Sequence, residues 1–138
     1  MPKQDVFHQL VKNALIRDGW NITHDPYPLR YGEHNLFVDL GAEAPIGAEK
    51  EGRKIAVEVK SFLGRSEISD MERALGQFLL YRFLLARVEP DRTLFLAVPE
   101  ETHLSLFDPA DGRDLMAEQA IRLLVFGPDQ GTILRWIE

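Results

Sequence analysis

The sequence predicts an α/β domain in which helices flank a mixed β-sheet. Apolar residues recur at three- and four-residue spacing over residues 2–18 and 69–87, which is the pattern of helices that bury one face. Short apolar runs typical of strands lie between these helices and after the second one. Such a mixture packs as a sheet covered by helices. At 138 residues, the chain is expected to fold as one domain spanning residues 1–138.

The N-terminal half is predicted to contain one helix and three strands. The helix of residues 2–18 ends at Gly19, a helix stop signal. The strands are expected at 20–23, 36–40 and 54–61. Gly41 is expected to end the second strand, and the polar segment 41–54 to connect the second and third strands as a hairpin loop.

The C-terminal half begins with the second helix. Ser69 and Glu72 form a capping box at its start, and it runs to Arg87. The remaining elements are expected to be a buried strand at 93–99, one or two short helices within 102–119, and a closing hairpin of strands at 121–126 and 132–137.

Composition constrains the location and the partners of the chain. No apolar run approaches the roughly 18 residues of a membrane span, and the N-terminus lacks the apolar segment of a secretory signal. There is no cysteine for disulfides or thiolate metal sites. A cytoplasmic protein that does not enter membranes is therefore expected. The net charge of −6 is opposite to the basic excess of most DNA-binding proteins, so contact with DNA would need a basic patch, metal ions or a partner.

The strand at 54–61 carries an acid and a base side by side. Because side chains alternate between the faces of a strand, Glu58 and Lys60 share one face. Antiparallel pairing with the preceding strand would bring Asp39 close to Glu58. Two carboxylates with a backbone carbonyl suit a hard cation such as Mg²⁺. Lys60 beside them can orient or deprotonate a water, or offset charge on a phosphate.

The same residues also fit a plainer interpretation. A Glu-x-Lys triplet often arises by chance, and on an edge strand Glu58 and Lys60 are simply solvated. Two features favour the site. The strand lies between an apolar strand and a helix, which is typical of a central strand, and Asp39 interrupts an apolar stretch where an unpaired acid destabilises the fold.

Two helices offer supporting residues. Gln77 and Tyr81 share one helix face, from which they can hydrogen-bond to a phosphate or to the carboxylates. Taken alone, they flank the apolar stripe at the rim of the core. Asp5, His8 and Lys12 line one face of the first helix. That face is either solvated, with Asp5 favoured by the helix dipole, or Asp5 or His8 points into the same cleft.

The chain resembles a known family over nearly its whole length. The order of elements with Asp39…Glu58-x-Lys60 resembles the PD-(D/E)XK nuclease superfamily, although Val38 rather than proline precedes Asp39. Gln77-x-x-x-Tyr81 resembles an accessory motif of its RecB-like branch. At family level, the chain is similar to the fdxN-element excision controlling factor (XisH) family. The segments that carry this similarity are NALIRDGWNITHDPYPL, VDLGAEAPIGAEKEGRKIAVEVKSF, ALGQFLLYR, EPDRTLFLAVP and ILRWI.

The resemblance implies a restriction-endonuclease-like core of three layers, with the order αβββαβ followed by a C-terminal helix and β-hairpin. It implies that Asp39 and Glu58 hold one or two Mg²⁺ or Mn²⁺ ions, that Lys60 is the catalytic lysine, and that Gln77 and Tyr81 support them. The family is known from cyanobacteria, where its namesake is needed, with a companion XisI-type protein, for a site-specific recombinase to remove a DNA element.

Three functions follow from these implications as alternatives. The first is a metal-dependent DNA endonuclease-like factor that hydrolyses phosphodiester bonds in support of excision. The second is a non-catalytic accessory protein that uses a nuclease fold to bind its partner and the recombinase. The third is a nuclease-like effector restrained by an XisI-type partner. Contact with DNA is expected to need the help of the partner, and self-association into a homo-oligomer is left open.

Overall fold

The computed structural model describes residues 4–44 and 52–138. Its elements in chain order are the helix α1 (His8–Arg17), the strands β1 (Asn21–His24), β2 (Tyr27–Tyr31), β3 (His34–Val38), β4 (Leu40–Ala44) and β5 (Arg53–Val59), the helix α2 (Glu67–Val88), the strand β6 (Arg92–Pro99), the short helix α3 (Glu100–Thr102) with a π-helical segment (His103–Phe107), the helix α4 (Ala110–Glu118), and the strands β7 (Leu123–Gly127) and β8 (Thr132–Ile137).

Six strands form one mixed sheet in the order β1-β4-β5-β6-β7-β8. The pairs β5–β6 and β6–β7 are parallel, and the other pairs are antiparallel. The strands β2 and β3 pair with each other as a separate hairpin. One face of the sheet packs on α1, and the other packs on α2, the hairpin and the C-terminal helices. The predicted α/β fold, with a mixed central sheet flanked by helices, is confirmed.

The strand β5 lies between β4 and β6 and is buried on both faces. Ile55 and Val57 pack on the side of α1, and Ala56 packs on the side of α2. The same alternation turns Glu58 toward α2. Glu58 is only 5% exposed, so the interpretation of this strand as a solvated edge is wrong. β5 ends one residue before Lys60.

The predicted second strand, 36–40, is in fact two strands separated by Asp39. β3 ends before Asp39 and pairs with β2, whereas β4 begins after it and pairs with β1 and β5. The β2–β3 hairpin was not predicted because Pro28 within β2 weakens the strand signal. Its turn contains Gly32 at a φ of +56°, a conformation that glycine adopts without strain.

The prediction that Gly41 ends a strand is wrong, because Gly41 lies inside β4. A Cβ at Gly41 would lie 3.0 Å from side-chain atoms of both His24 and Tyr27, so close packing, and not a turn, accounts for this glycine. The predicted loop 41–54 therefore begins as strand β4 and ends as strand β5, and its central residues 45–51 lie outside the described residues.

The helix α1 begins at His8, later than the predicted start at residue 2. Asp5 precedes the helix, and its Oδ1 accepts a hydrogen bond from the backbone N–H of Phe7 at 2.9 Å, a local bond that competes with helical geometry. Residues 2 and 3 of the predicted helix lie outside the described residues. The predicted end is confirmed, with Gly19 at a φ of +94° just beyond it.

The helix α2 also begins at a different residue from the one predicted. Ser66 is the N-cap, and its hydroxyl accepts the backbone N–H of Ser69 at 3.2 Å. Ser69 and Glu72 therefore lie inside the helix and do not form its capping box. The predicted end at Arg87 is confirmed to within one residue.

The C-terminal elements largely follow the prediction. Helix occupies two pieces, 100–107 and 110–118, so the first begins two residues before the predicted range 102–119. The strands β7 and β8 form the closing hairpin, although β7 begins at Leu123 and not at residue 121. Among residues 4–44 and 52–138, no helix is both long enough and apolar enough to cross a membrane.

Candidate functional site

Asp39 and Glu58 meet where β4 begins and β5 ends. The register pairs Leu40 with Val57, which brings the preceding Asp39 opposite Glu58. The Oε1 of Glu58 accepts the backbone N–H of Asp39 at 3.2 Å, and the Oδ2 of Asp39 accepts the backbone N–H of Val59 at 2.7 Å. Each carboxylate is therefore fixed by the backbone beside the other, and the expected proximity of the two acids is present.

Lys60 lies beside the pair. Its Nζ is 3.3 Å from the Oε2 of Glu58, and the lysine side chain is 26% exposed whereas the glutamate side chain is 6% exposed. One end of the site is thus buried and the other opens to solvent. Asp39, Glu58 and Lys60 line an open cavity of about 430 Å³ together with Gln4, Asp5, Val6 and Val59.

Burial governs the electrostatics of the two acids. Burial and the neighbouring Asp39 carboxylate together raise the pKa of Glu58 to about 8, against the opposing attraction of Lys60. Burial likewise raises the pKa of Asp39, although its hydrogen bond from Val59 and its attraction to His8 oppose the shift. Lys60 alone therefore does not compensate two buried negative charges, and the site favours additional positive charge.

His8 reaches this site from α1. Its Nε2 is 2.8 Å from Asp25 Oδ1, and its Nδ1 is 4.0 Å from Asp39 Oδ1. This Nδ1 is buried and has no hydrogen-bond partner within the described part of the chain. The second oxygen of Asp25 accepts a 2.7 Å hydrogen bond from Lys12. His8 is 2% exposed, so the alternative of a solvated helix face is wrong for this residue.

Asp5 connects the N-terminal segment to the segment after β5. Its Oδ2 accepts the backbone N–H of Ser61 at 2.9 Å, while its Oδ1 binds Phe7. It therefore lies at the site, as one of the two alternatives expected, but ahead of α1 and not on its face.

The helix α2 contributes Tyr81 and Gln77, and both face the interior. Burial raises the pKa of Tyr81 to about 12, and the negative charges of Glu58 and Asp39 add to the shift, so its hydroxyl lies near the two acids. The Oε1 of Gln77 is buried without a hydrogen-bond partner in the described residues. Tyr81 is thus turned toward the two acids, whereas for Gln77 the structure shows only that its Oε1 is buried, and its supporting role stays a prediction.

Asp25 is the site-associated residue that was not predicted. In the sequence it marks only a turn before a proline. Its partners His8 and Lys12 are 17 and 13 residues away, so no local pattern links the three.

Comparisons with known proteins identify the family of the chain. The XisH family model, described as XisH protein, matches residues 1–134. The chain belongs to the XisH family.

Two solved structures of XisH-type proteins resemble this chain. One is the crystal structure of an XisH family protein from Nostoc punctiforme PCC 73102, with 45% identity, a TM-score of 0.86, and coverage of 97% of this chain and 100% of that one. The other is an fdxN element excision controlling factor protein from Anabaena variabilis, with 45% identity, a TM-score of 0.85, and coverage of 98% and 100%. No match was found among curated proteins.

The carboxylates of this XisH-family chain suit a hard divalent cation, although they supply only part of a ligand set. Within residues 4–44 and 52–138, no group of three or more His, Asp or Glu side chains is arranged to hold a metal ion. Asp39 and Glu58 each use one oxygen for a backbone hydrogen bond, which leaves Oδ1 and Oε2 for other interactions. Mg²⁺ commonly takes one or two carboxylates and completes its shell with water and phosphate oxygens, which such a pair can accommodate.

Proposed function

We propose that this XisH-family chain is a metal-dependent, endonuclease-like factor that hydrolyses phosphodiester bonds of DNA, on a restriction-endonuclease-like fold of the PD-(D/E)XK type. The observation that carries the proposal is the buried Glu58 carboxylate, fixed between Asp39 and Lys60 in the lining of an open cavity. Burying two acids beside one lysine destabilises a fold unless a bound cation or a reaction makes use of them.

In this proposal, Asp39 and Glu58 hold one or two Mg²⁺ or Mn²⁺ ions. The metal, when bound, supplies positive charge that polarises a phosphate oxygen. Hydrogen bonds from the backbone to both carboxylates set their orientation in advance. Lys60, held by Glu58 and partly open to solvent, either orients the attacking water or offsets charge on the phosphate in the transition state.

The surrounding residues hold the acids in position. His8 is fixed at one ring nitrogen by Asp25 and presents the other nitrogen to Asp39 at 4.0 Å. We assign His8 to orienting Asp39, Asp5 to fixing the backbone after Lys60 through Ser61, and Gln77 and Tyr81 to supporting the buried end of the site.

The biological setting of the proposal is excision of a DNA element. A relative with 45% identity is described as an fdxN element excision controlling factor. We propose that this chain likewise assists a site-specific recombinase, together with an XisI-type companion protein. The net charge of −6 supports dependence on such a partner, because the chain by itself repels the phosphate backbone.

The same charge favours the second candidate, a non-catalytic accessory protein. In that case the nuclease-like fold serves as a binding surface for the partner and the recombinase, and Lys60 has no chemical role. A nuclease-like effector restrained by an XisI-type partner is a variant of the first candidate, and it predicts a growth defect that the partner relieves.

A cleavage assay separates the candidates. Supercoiled and branched DNA is incubated with Mn²⁺, with and without the partner, and with wild type or Lys60→Ala. We expect Lys60→Ala to reduce cleavage about 10²-fold or more, the usual loss for a group that acts in the transition state. Lys54→Ala is the matched control, because Lys54 lies at the other end of β5 from the site, is 41% exposed and pairs with Glu89 and Asp91.

Each outcome decides between the candidates. Loss of cleavage in Lys60→Ala with retention in Lys54→Ala supports the enzyme. Absence of cleavage under every condition overturns it. Excision in cells that survives Lys60→Ala, together with intact partner binding, supports the accessory protein.

A further inference from the structure

The solvent-facing side of α2 contains a glycine that the fold of one chain does not require. Gly76 lies in the middle of α2, and a Cβ built on it meets no heavy atom within 4 Å. A glycine in an exposed helix interior weakens the helix relative to alanine. Neither packing within the described residues nor a left-handed backbone conformation therefore accounts for it.

Large apolar side chains lie on the same side of the helix. Leu79 and Phe83 are 42% and 49% exposed, and they follow Gly76 at three- and seven-residue spacing along one stripe. The buried residues of α2 point the other way, toward the sheet. The stripe carries charges of opposite sign at its two ends, with Glu72 before Gly76 and Arg87 after Phe83 along the helix. The Arg87 guanidinium lies 4.5 Å from the centre of the Phe83 ring. We call Glu72, Gly76, Leu79, Phe83 and Arg87 the α2 stripe.

We propose that the α2 stripe binds the α2 stripe of a second copy of this chain, with the two helices antiparallel about a two-fold axis. If the axis passes midway between positions 79 and 80, position 83 of one copy lies opposite position 76 of the other. Phe83 then packs into the notch that Gly76 leaves, and this contact occurs twice.

The charges of the stripe fit the same arrangement. With this axis, position 72 lies opposite position 87, so each Glu72 faces the Arg87 of the other copy. The stripe thus carries both the apolar projection and the notch that receives it, and both signs of charge. This self-complementarity favours a second copy as the partner. A surface that binds an unrelated protein does not need to carry both the projecting side chain and the notch, or both charges of each ion pair.

Sedimentation velocity over a concentration series tests the proposal. We expect wild type to form a dimer whose population rises with concentration, and Phe83→Ala to raise its dissociation constant at least 10-fold. Leu104→Ala is the control, because Leu104 is 58% exposed but lies outside α2, and it should leave the dissociation constant unchanged.

Exchanging the charges tests the register. Glu72→Arg or Arg87→Glu alone places like charges opposite each other twice, so each should raise the dissociation constant about as much as Phe83→Ala. The double variant Glu72→Arg/Arg87→Glu restores opposite charges and should restore the dimer.

Gly76→Ala separates an interface role from a structural one. We expect it to raise the midpoint temperature of thermal unfolding at concentrations where the protein is monomeric, and to weaken the dimer. A wild-type chain that stays monomeric at all concentrations overturns the proposal, as does a dimer that none of the variants affects. If the variants lose binding to a different protein while wild type forms no dimer, a second copy is likewise excluded as the partner of the α2 stripe.

Discussion

Glu58 shows, at the scale of one residue, how burial raises the pKa of an acid into the range near neutral pH. Its pKa of about 8 arises mainly from burial and secondarily from Asp39. The alternation of β5 fixes which face Glu58 takes, and this follows from sequence. The size of the shift does not, because it depends on how completely α2 and the neighbouring strands remove water from the carboxyl group.

Glu58 should make the metal-free protein less stable as the pH rises. Its folded-state pKa of about 8 lies above its ordinary value of 4.5. Between these values the unfolded chain loses the proton while the folded chain keeps it, so the free energy of unfolding falls by up to about 1.4 kcal/mol per pH unit. Urea unfolding in a chelator, from pH 5 to pH 8, should show Glu58→Gln gaining stability relative to wild type. Parallel pH profiles for the two proteins would contradict the assigned burial.

A divalent cation should reverse this effect. At pH 8, Mn²⁺ should raise the unfolding temperature of wild type, because an ion that binds only the folded state stabilises it. Asp39→Asn and Glu58→Gln should each reduce the increase, whereas Lys54→Ala should keep it. An equal increase in all four proteins would indicate that Mn²⁺ binds elsewhere.

The helix α2 shows at the scale of an element why boundaries are harder to predict than elements. The apolar spacing that predicts α2 is confirmed and its end is confirmed to within one residue, although Leu79, which was expected in the buried stripe, is 42% exposed. The start is wrong because the segment holds two serines, Ser66 and Ser69, that could each be the N-cap. Only the folded chain shows that Ser66 takes this position, where its hydroxyl accepts the N–H of Ser69. The β2–β3 hairpin was missed because Pro28 weakens the strand signal of β2 and because its burial comes from distant contacts. Its Tyr27 and Leu29 are buried through packing against the α2 side of the core, which no local pattern reveals.

The two serines should differ in their effect on stability. Ser66→Ala removes the N-cap acceptor and should lower the free energy of unfolding by about 1 kcal/mol. Ser69→Ala is the matched control, since Ser69 lies inside the helix and is exposed, and it should change stability by less than about 0.5 kcal/mol. Urea unfolding measures both. A larger loss for Ser69→Ala would restore the capping box predicted from sequence.

Arg92 connects several parts of the whole molecule. Its side chain is 1% exposed and donates to the Ile55 carbonyl at 2.9 Å and to Glu89 at 2.9 Å. Its guanidinium also lies 5.0 Å from the centre of the Tyr27 ring in the separate hairpin. One side chain therefore joins β5, the end of α2, and the hairpin. The hydrogen bond from Arg92 also lowers the pKa of Glu89.

Removing Arg92 should destabilise the fold as a whole. Arg92→Ala leaves the buried Ile55 carbonyl without its partner and removes one of several partners of Glu89, and should lower the free energy of unfolding by about 1–3 kcal/mol. Arg113→Ala is the control, because Arg113 is 69% exposed and its ion pair within residues 4–44 and 52–138 is with Asp108, and such surface pairs contribute about 0–1 kcal/mol. Similar small losses in both variants would show that Arg92 does not connect these elements energetically.

The sequence by itself determined the α/β class and most of the helices and strands, because these depend on side-chain periodicity, which acts between near neighbours in the chain. It also predicted Asp39, Glu58 and Lys60 as a site, but that prediction needed the expected pairing of two strands and the family resemblance. Only the tertiary structure decided the contacts of His8 with Asp25 and Asp39, the separate hairpin, and the burial that raises the pKa of Glu58. These depend on which distant segments meet and on how much water they exclude, and no local pattern encodes either.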